Sequence, residues 1–464
     1  MYGLGQAAEG VKGYAFENFL FFYYNQVLGL SGKLTGIALL LTMICDAVMD
    51  PLAGSASDNL KHRWGRRHPF MYGSAIPFAI TFALVFSAPQ GASQTLLFAW
   101  LTVSSILVRA AMALYHVPHL ALGAELSDDY QERTAVVGWR LLFAVLGSIV
   151  LVIGAWRIFF RPTPEFSNGQ LNPSVYPGLG ATFGIVAMVA ILVSSYCTRD
   201  RIPYLPGPPE KPEPFGIVRV LREIWGALKN RSFRFFFIGI LFFFVMRGIQ
   251  VSLGLHVFTF FWQLKPKQIE GVQLSMVLAF AFGIPIWTVL SRSLDKKPTL
   301  VIAMLGFSFF NLIPPMAEVS GFWPAIGSSG SFRLLALFMA LAAFCGAGGF
   351  IAGGSMLADV ADEHELLTKR RQEGIFFGAL SFAGKSAAGL GGLIAGATTD
   401  LIGFPKQAKV GEVPEATLDA LAVVYGPGIV FLALIAQPFI WRYRLSRERH
   451  AEILRELEIR RQKP

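Results

Sequence analysis

Twelve apolar stretches, each long enough to cross a bilayer, divide this chain of 464 residues. A membrane-spanning helix needs about 20 mostly apolar residues. The chain is 54% hydrophobic and only 15% charged, whereas a soluble domain carries roughly 25% charged residues. The composition therefore excludes a soluble globular protein and predicts an all-α membrane protein. The predicted spans are 6–29, 32–57, 69–88, 95–122, 137–160, 175–197, 232–262, 268–291, 298–316, 333–358, 374–402 and 421–443.

The spans fall into two sets of six, separated by a polar stretch from Thr198 to Arg231. This stretch contains PYLPGPPEKPEP and then an amphipathic piece around Val218 to Leu228, a composition typical of a linker along a membrane surface. We therefore predict four parts, and two six-helix bundles joined in this way indicate the major facilitator architecture. The parts are a bundle at 1–197, a linker at 198–231, a bundle at 232–443 and a cytoplasmic tail at 444–464.

Basic residues define the orientation of the chain. They crowd the linker, the 58–68 loop, Arg292 to Lys297, Lys369 to Arg371 and the segment after Arg442, whereas the alternate loops hold few. Basic loops stay in the cytoplasm, so both termini are expected there. The net charge of +10 then reflects topology and not a nucleic-acid partner. The three cysteines have no metal-like spacing, and we expect no cofactor.

Two acids in the second span form the clearest candidate site. Asp46 and Asp50 are four residues apart, hence on one helix face at membrane depth. Pro51 lacks an N–H, so the carbonyl of Ala47 loses its helical donor close to both carboxylates. Two acids and a freed carbonyl predict a cation site. The alternative is that one acid pairs with a basic residue on a neighbouring helix.

The first span also carries polar residues. Glu9 and Lys12 are three residues apart and can pair with each other. Glu17 lies deeper and Asn18 follows it. Because an acid within the membrane is costly to bury, we regard Glu17 and Asn18 as candidates for substrate binding.

Single charged or titratable residues mark four other spans. His116 lies in the apolar part of the fourth span, where an imidazole can relay a proton, donate to a ligand or simply pack. Arg140 begins the fifth span, and Arg247 lies well inside the seventh, where it needs a carboxylate or an anionic ligand. Lys385 stands alone in the eleventh, as a candidate for a ligand or coupling role or as a snorkelling side chain.

Loops after the second and eighth spans echo each other. The first reads GSASDNLKHRWGRRHP and the second LSRSLDKKP, and both combine small residues, an acid and several bases. Acids at the end of the fourth span are expected to pair with the bases of the first loop, and both loops are expected to hold helix ends together. Asp359 lies at the end of the tenth span, beside Lys369 to Arg371, and is assigned a structural role there. The predicted latch residues are Asp58, Arg63, Arg66, Arg67, Glu125, Arg133 and Asp359.

Five motifs identify a family resemblance. They are YYNQVLGLS at the end of the first span, DAVMDP and RWGRRHPF around the second, VPHLALGAELSDDYQERT after the fourth, and SMLADVADEHELLTKRRQEGIFF ahead of Lys385. Together they resemble the glycoside-pentoside-hexuronide:cation symporters, a melibiose permease-like branch of the major facilitator superfamily. The resemblance implies a monomer in a bacterial inner membrane that imports a sugar together with Na⁺, H⁺ or sometimes Li⁺.

The resemblance also implies residue roles. Asp46 and Asp50 fall on the acids that bind the cation and would be metal ligands if the ion is Na⁺. Lys385 falls on a lysine near both sites, and Arg140 falls near an arginine that contacts sugar. Phe350 occupies a tryptophan position and keeps an aromatic face.

Departures from the family pattern bear on substrate and ion. The melibiose carriers have an aspartate in helix one where this chain has Gly10, next to Glu9, and Glu17 is a candidate replacement. They also have an aspartate where this chain has His116 and a tryptophan where it has Leu120. These changes argue against melibiose and leave H⁺ and Na⁺ equally open, because losing a carboxylate weakens a Na⁺ site while an imidazole favours protons.

Three readings of the function follow. The first is a cation-coupled symporter for a sugar or glycoside. The second is a sodium-dependent transporter of a lysolipid or other amphipathic anion, which buried bases at Arg140, Arg247 and Lys385, together with His116, would suit. The third is a membrane-embedded enzyme or sensor, but no nucleophile with an adjacent base is visible in the sequence. The sugar symporter stays first because the loop motifs match that branch.

Overall fold

The structure is a computed structural model that describes residues 1–126, 129–205, 225–368 and 373–462. Regular structure in these residues is helical, with no β-strand among them. The helices are α1 (Gln6–Ala15), α2 (Gly32–Asn59), α3 (His68–Val85), α4 (Gln94–Glu125), α5 (Tyr130–Gly154), α6 (Tyr176–Cys197), α7 (Arg231–His256), α8 (Pro266–Leu294), α9 (Lys296–Val319), α10 (Ser329–Thr368), α11 (Glu373–Leu401), α12 (Glu415–Val423), α13 (Ile429–Trp441) and α14 (Arg447–Gln462).

Each predicted span coincides with helical structure in the described chain. The first span continues from α1 through π-helical turns to Val27, and the twelfth joins α12 to α13 through the π-helical turn Val424–Gly428. Ten of the helices in the described ranges are long and apolar enough to cross a membrane. The predicted all-α membrane fold is therefore confirmed.

The first of two compact units comprises Met1–Phe215, Val251–Glu270 and Gly392–Val413. Within it α3 packs against α4 and α6, α2 packs against α4, and α1 packs against α5. The approach of α1 to α5 depends on Gly10, where an added Cβ would lie 2.0 Å from the carbonyl oxygen of Ala144. An aspartate does not fit at this position, which gives a physical reason for the departure noted there.

The second unit comprises Gly216–Gln250, Gly271–Gly391 and Pro414–Pro464. Within it α9 packs against α10 and α13. The segment predicted as a tail forms α14, which packs against α10 and buries Ile453 and Leu457 in the apolar core. The carboxyl-terminal segment is thus part of the folded unit.

The carboxyl ends of the first and seventh spans repeat one backbone arrangement. In each, an amide donates to the carbonyl five residues earlier, and the following residue, Gly29 or Gln263, has a positive φ of 78° or 46°. The amide pairs are Leu28 to Tyr23 at 3.0 Å and Trp262 to Val257 at 2.9 Å. The shared turn supports an internal repeat of six spans.

Three predicted features lie outside the described residues. They are Asp128 in the motif after the fourth span, the linker from 206 to 224, and the bases from Lys369 to Arg371.

Candidate functional site

A buried ion pair joins α2 to α4. Nη1 of Arg109 lies 3.1 Å from Oδ2 of Asp46, and the two side chains are 5% and 7% exposed. The guanidinium carbon of Arg109 also lies 5.2 Å from the centre of the Phe16 ring. Charges at membrane depth are costly unless paired, so each of these residues provides the countercharge that the other needs.

Arg109 was not among the site residues predicted from the sequence. It precedes His116 by seven residues, which is two helical turns and places both on one face of α4. A base inside an apolar span was the available signal. Its partner, 63 positions away in sequence, could be identified only from the packing of α2 on α4.

Asp50 lies one turn beyond Asp46 and is half-buried. The helix α2 continues past Pro51 to Asn59. The carbonyl of Ala47 therefore lacks its usual amide donor inside an intact helix. The structure shows the alternative pairing, because Asp46 pairs with Arg109 on the neighbouring helix α4. The cation-binding role of Asp46 and Asp50 stays a prediction.

Polar residues of α1 lie close to His116 and Asp46. Nζ of Lys12 lies 2.8 Å from Oε1 of Glu9, which matches the predicted pairing. Nε2 of Gln6 lies 3.2 Å from Nε2 of His116, and Glu9 is within electrostatic range of both His116 and Asp46.

The first unit contains three other predicted site residues, Glu17, Asn18 and Arg140. Glu17 and Asn18 belong to the π-helical stretch Phe16–Leu20 and are half-buried, and Nδ2 of Asn18 donates to the carbonyl oxygen of Tyr14 at 3.1 Å. Arg140 lies beside the hydroxyl of Tyr2. Because Tyr2 precedes α1, Arg140 lies near the amino end of that helix.

In the second unit the predicted substrate residues Arg247 and Phe350 come together. The guanidinium carbon of Arg247 lies 5.7 Å from the centre of the Phe350 ring. Three further rings contact Phe350 edge to face with centroid distances of 5.8 to 6.0 Å, and they belong to Phe243, Phe244 and Phe280. Lys385 is half-buried on α11. A cation held against an aromatic wall can bind a ring-shaped or anionic ligand.

Four of the predicted latch residues form one cluster, which we call the Glu125 cluster. Oε1 of Glu125 accepts from Arg66 at 2.6 Å and from Arg67 at 2.9 Å, and Arg67 also pairs with Asp58 at 2.5 Å. This arrangement ties the loop after α2 to the end of α4. Arg63 lies outside it, exposed over the ring of Trp64.

The second unit repeats the arrangement at the corresponding place. Nζ of Lys296, which follows α8, lies 2.6 Å from Oδ1 of Asp359 near the end of α10. His450 of α14 lies 3.4 Å from Asp359 and 2.9 Å from Asp362. Arg133 is exposed near the start of α5. The cation-binding, substrate-binding and latch roles of all these residues stay predictions.

Comparison with known proteins identifies the family. A family model described as MFS/sugar transport protein matches residues 1–447. An uncharacterized symporter of Synechocystis is 26% identical over 541 residues, covering 99% of this chain and 96% of its own. The glucuronide carrier protein homolog of Escherichia coli is 24% identical over 463 residues, covering 99% and 94%.

A solved structure agrees on the fold. The structure of a bacterial homologue of the human drug peptide transporters PepT1 and PepT2 matches with a TM-score of 0.65 at 14% identity, over 96% of this chain and 98% of that one. At this identity the likeness shows the fold alone. The family model, in contrast, spans nearly the whole chain. The chain therefore belongs to the MFS/sugar transport family, and its resemblance to the glycoside-pentoside-hexuronide:cation symporters is confirmed.

Proposed function

We propose that this protein imports a glycoside or related sugar together with a cation, Na⁺ or H⁺, by alternating access. The family description and the name of the glucuronide carrier homolog support a sugar substrate. The basic loops support a cytoplasmic location for both termini, as in a bacterial inner membrane. Substrate and cation would bind near the middle of the membrane while the two halves rock around them.

The pair of Asp46 and Arg109 is the observation that carries the coupling part of this proposal. A cation that binds Asp46 competes with Arg109 for the carboxylate, because the guanidinium already lies 3.1 Å away. Once displaced, Arg109 needs a new countercharge. Cation binding on α2 is thereby linked to a rearrangement on α4, the kind of differential contact that shifts a conformational equilibrium.

The substrate part rests on Arg247 and its aromatic surroundings. Sugar rings pack on aromatic faces, and a guanidinium forms two parallel hydrogen bonds with a carboxylate. A hexuronide offers both a ring and a carboxylate. We therefore place the hexuronides first among the sugars to be tested, followed by neutral glycosides.

The same aromatic cluster favours one other candidate, an amphipathic anion such as a lysolipid. Phe243, Phe244 and Phe280 provide an apolar surface beside Arg247, which suits an acyl chain next to a phosphate. A sugar remains the first choice because the named relatives include a glucuronide carrier homolog.

Counterflow in proteoliposomes separates these candidates. Proteoliposomes that contain the purified protein are loaded in turn with a hexuronide, a neutral glycoside or a lysolipid. Each substrate is tested once with Na⁺ present and once with protons as the only available coupling ion. Exchange of a sugar that depends on one of the two ions supports the proposal and names the ion. Exchange of the lysolipid alone would replace the sugar by the amphipathic anion.

Asp50→Asn and Lys385→Ala then test the ion and ligand assignments in the same vesicles. We expect Asp50→Asn to abolish concentrative uptake, because it removes a charge with little change in volume. We expect Lys385→Ala to weaken cation-dependent substrate binding. Unchanged uptake by Asp50→Asn would remove Asp50 from the cation site, and wild-type affinity in Lys385→Ala would make that lysine a snorkelling residue.

A further inference from the structure

A groove of about 650 Å³ opens in the second unit, between the start of α9 and the segment that follows α13. Its lining includes Asp295, Lys297, Val301, Ile302, Trp441 and Arg444. We propose that this groove binds an anionic phospholipid, with the phosphate at Lys297 and Arg444 and an acyl chain along Val301 and Ile302. The proposal is independent of the transported substrate.

The groove lies where two packed spans leave the apolar layer together. One span begins at Lys296 and the other ends at Trp441, and their helices α9 and α13 pack against each other. Ile302 and Trp441 are 46% and 64% exposed, so both present apolar surface to the surroundings. Tryptophan is enriched at the level of lipid head groups, which places the groove at the membrane interface.

Lys297 is fixed at the polar end of the groove. Its Nζ donates to the carbonyl oxygens of Trp441 at 2.7 Å and Tyr443 at 3.1 Å. The ammonium also lies 5.2 Å from the centre of the Trp441 ring. An ammonium has three N–H donors, so one remains for a ligand after the two carbonyls are satisfied.

Arg444 adds a second positive charge. Its side chain is exposed and lines the groove, and within the described part of the chain its guanidinium pairs with no other side chain. Asp295 is the acid of the lining, and its carboxylate accepts from the amides of Lys296 at 2.6 Å and Arg447 at 3.4 Å. The two bases therefore outnumber the one acid, whose oxygens are already engaged.

This combination selects a phospholipid as occupant. Its phosphate complements the excess positive charge, and basic pockets between transmembrane helices bind anionic head groups. The apolar strip of Val301 and Ile302 continues from the basic end. A free phosphate ion has no apolar part that could pack against this strip. A phosphatidylglycerol, with one negative charge and two acyl chains, fits both ends of the groove.

Native mass spectrometry of the full-length protein in detergent tests the proposal by titration with dioleoylphosphatidylglycerol. We expect Arg444→Gln to weaken binding of the tightest lipid about fivefold, and Lys297→Gln with Arg444→Gln about 30-fold, from the interaction of each base with an anionic head group. The matched control is Lys267→Gln with Arg333→Gln, which removes two exposed bases elsewhere and should bind like the wild type.

Three results would overturn the proposal. They are unchanged phosphatidylglycerol binding in the double variant, equally tight binding of phosphatidylcholine by the wild type, and displacement of the lipid by millimolar inorganic phosphate. Within the described residues the Arg444 side chain makes no hydrogen bond or ion pair, so Arg444→Gln should melt like the wild type. It therefore keeps the test decisive even if loss of Lys297 disturbs the carbonyls that it holds.

Discussion

Nη1 of Arg109 on α4 donates to Oδ2 of Asp46 on α2 across 3.1 Å, and both side chains are buried. Sequence and family resemblance assign Asp46 to cation binding, and in the structure its carboxylate is paired with the guanidinium of Arg109. Breaking a buried pair by removing one member is strongly destabilising, since it leaves an uncompensated charge, whereas removing both members is much less so. Stability and coupling are consequently linked at this pair.

Neutralising either member alone should destabilise the protein more than neutralising both. We expect Asp46→Asn and Arg109→Gln each to cost about 3–5 kcal/mol and to lower the melting temperature in detergent. The double variant should melt above both single variants, while concentrative uptake stays absent in every variant that lacks Asp46. Arg333→Gln, which removes an exposed base, serves as the control. Additive losses in the double variant would show that the pair contributes nothing to stability.

The helices of this fold were predictable from the sequence because an apolar span is a local property of the chain. Each of the twelve predicted apolar runs coincides with helical structure in the described residues, and ten of the described helices are long and apolar enough to cross a membrane. Spacing along one helix likewise predicted the contact of Glu9 with Lys12. The helical packing of the carboxyl-terminal segment was missed, since its many charges conceal the two buried positions Ile453 and Leu457.

Contacts between distant segments were harder to predict. Asp46 and Arg109 are 63 positions apart in the sequence. The carboxylate of Asp400 accepts hydrogen bonds from the amides of Gly32 and Lys33, which are more than 360 positions away. Neither pairing follows a helical spacing, and each depends on which helices become neighbours. The Glu125 cluster was foreseen because its acid and bases adjoin loops that a membrane protein keeps on one side.

Glu125→Gln should weaken the link between the loop after α2 and the end of α4. One oxygen of Glu125 accepts from both Arg66 and Arg67, and hydrogen bonds to charged groups contribute about 1.5–3 kcal/mol each. We expect a lower melting temperature and a slower initial rate of substrate uptake in proteoliposomes. Arg63→Gln alters a neighbouring exposed base outside the cluster and should retain both values. Equal effects of the two substitutions would refute the latch role.

Gly396→Ala should disturb the packing of α11 on α2 in the first unit. A Cβ at Gly396 would lie 2.0 Å from the carbonyl oxygen of Gly32, so the helices would have to separate. On the same helix, a Cβ at Gly378 would meet nothing within 4 Å, and there alanine should gain up to about 1 kcal/mol of helix propensity. We therefore expect a lower melting temperature for Gly396→Ala and an equal or higher one for Gly378→Ala. The opposite order would contradict the close approach.

Ile453→Ala should show that α14 belongs to the folded unit. Ile453 is fully buried in the core of the second unit, whereas its neighbour Leu454 is 41% exposed. Truncating a buried isoleucine to alanine costs about 2–5 kcal/mol, and the same change at an exposed position usually costs less than about 0.5 kcal/mol. We expect Ile453→Ala to lower the melting temperature and to speed proteolysis after Arg447, while Leu454→Ala leaves both unchanged. If the two variants behave alike, the helix is only a surface appendage, and the contacts of His450 with Asp359 and Asp362 cannot hold the end of α10.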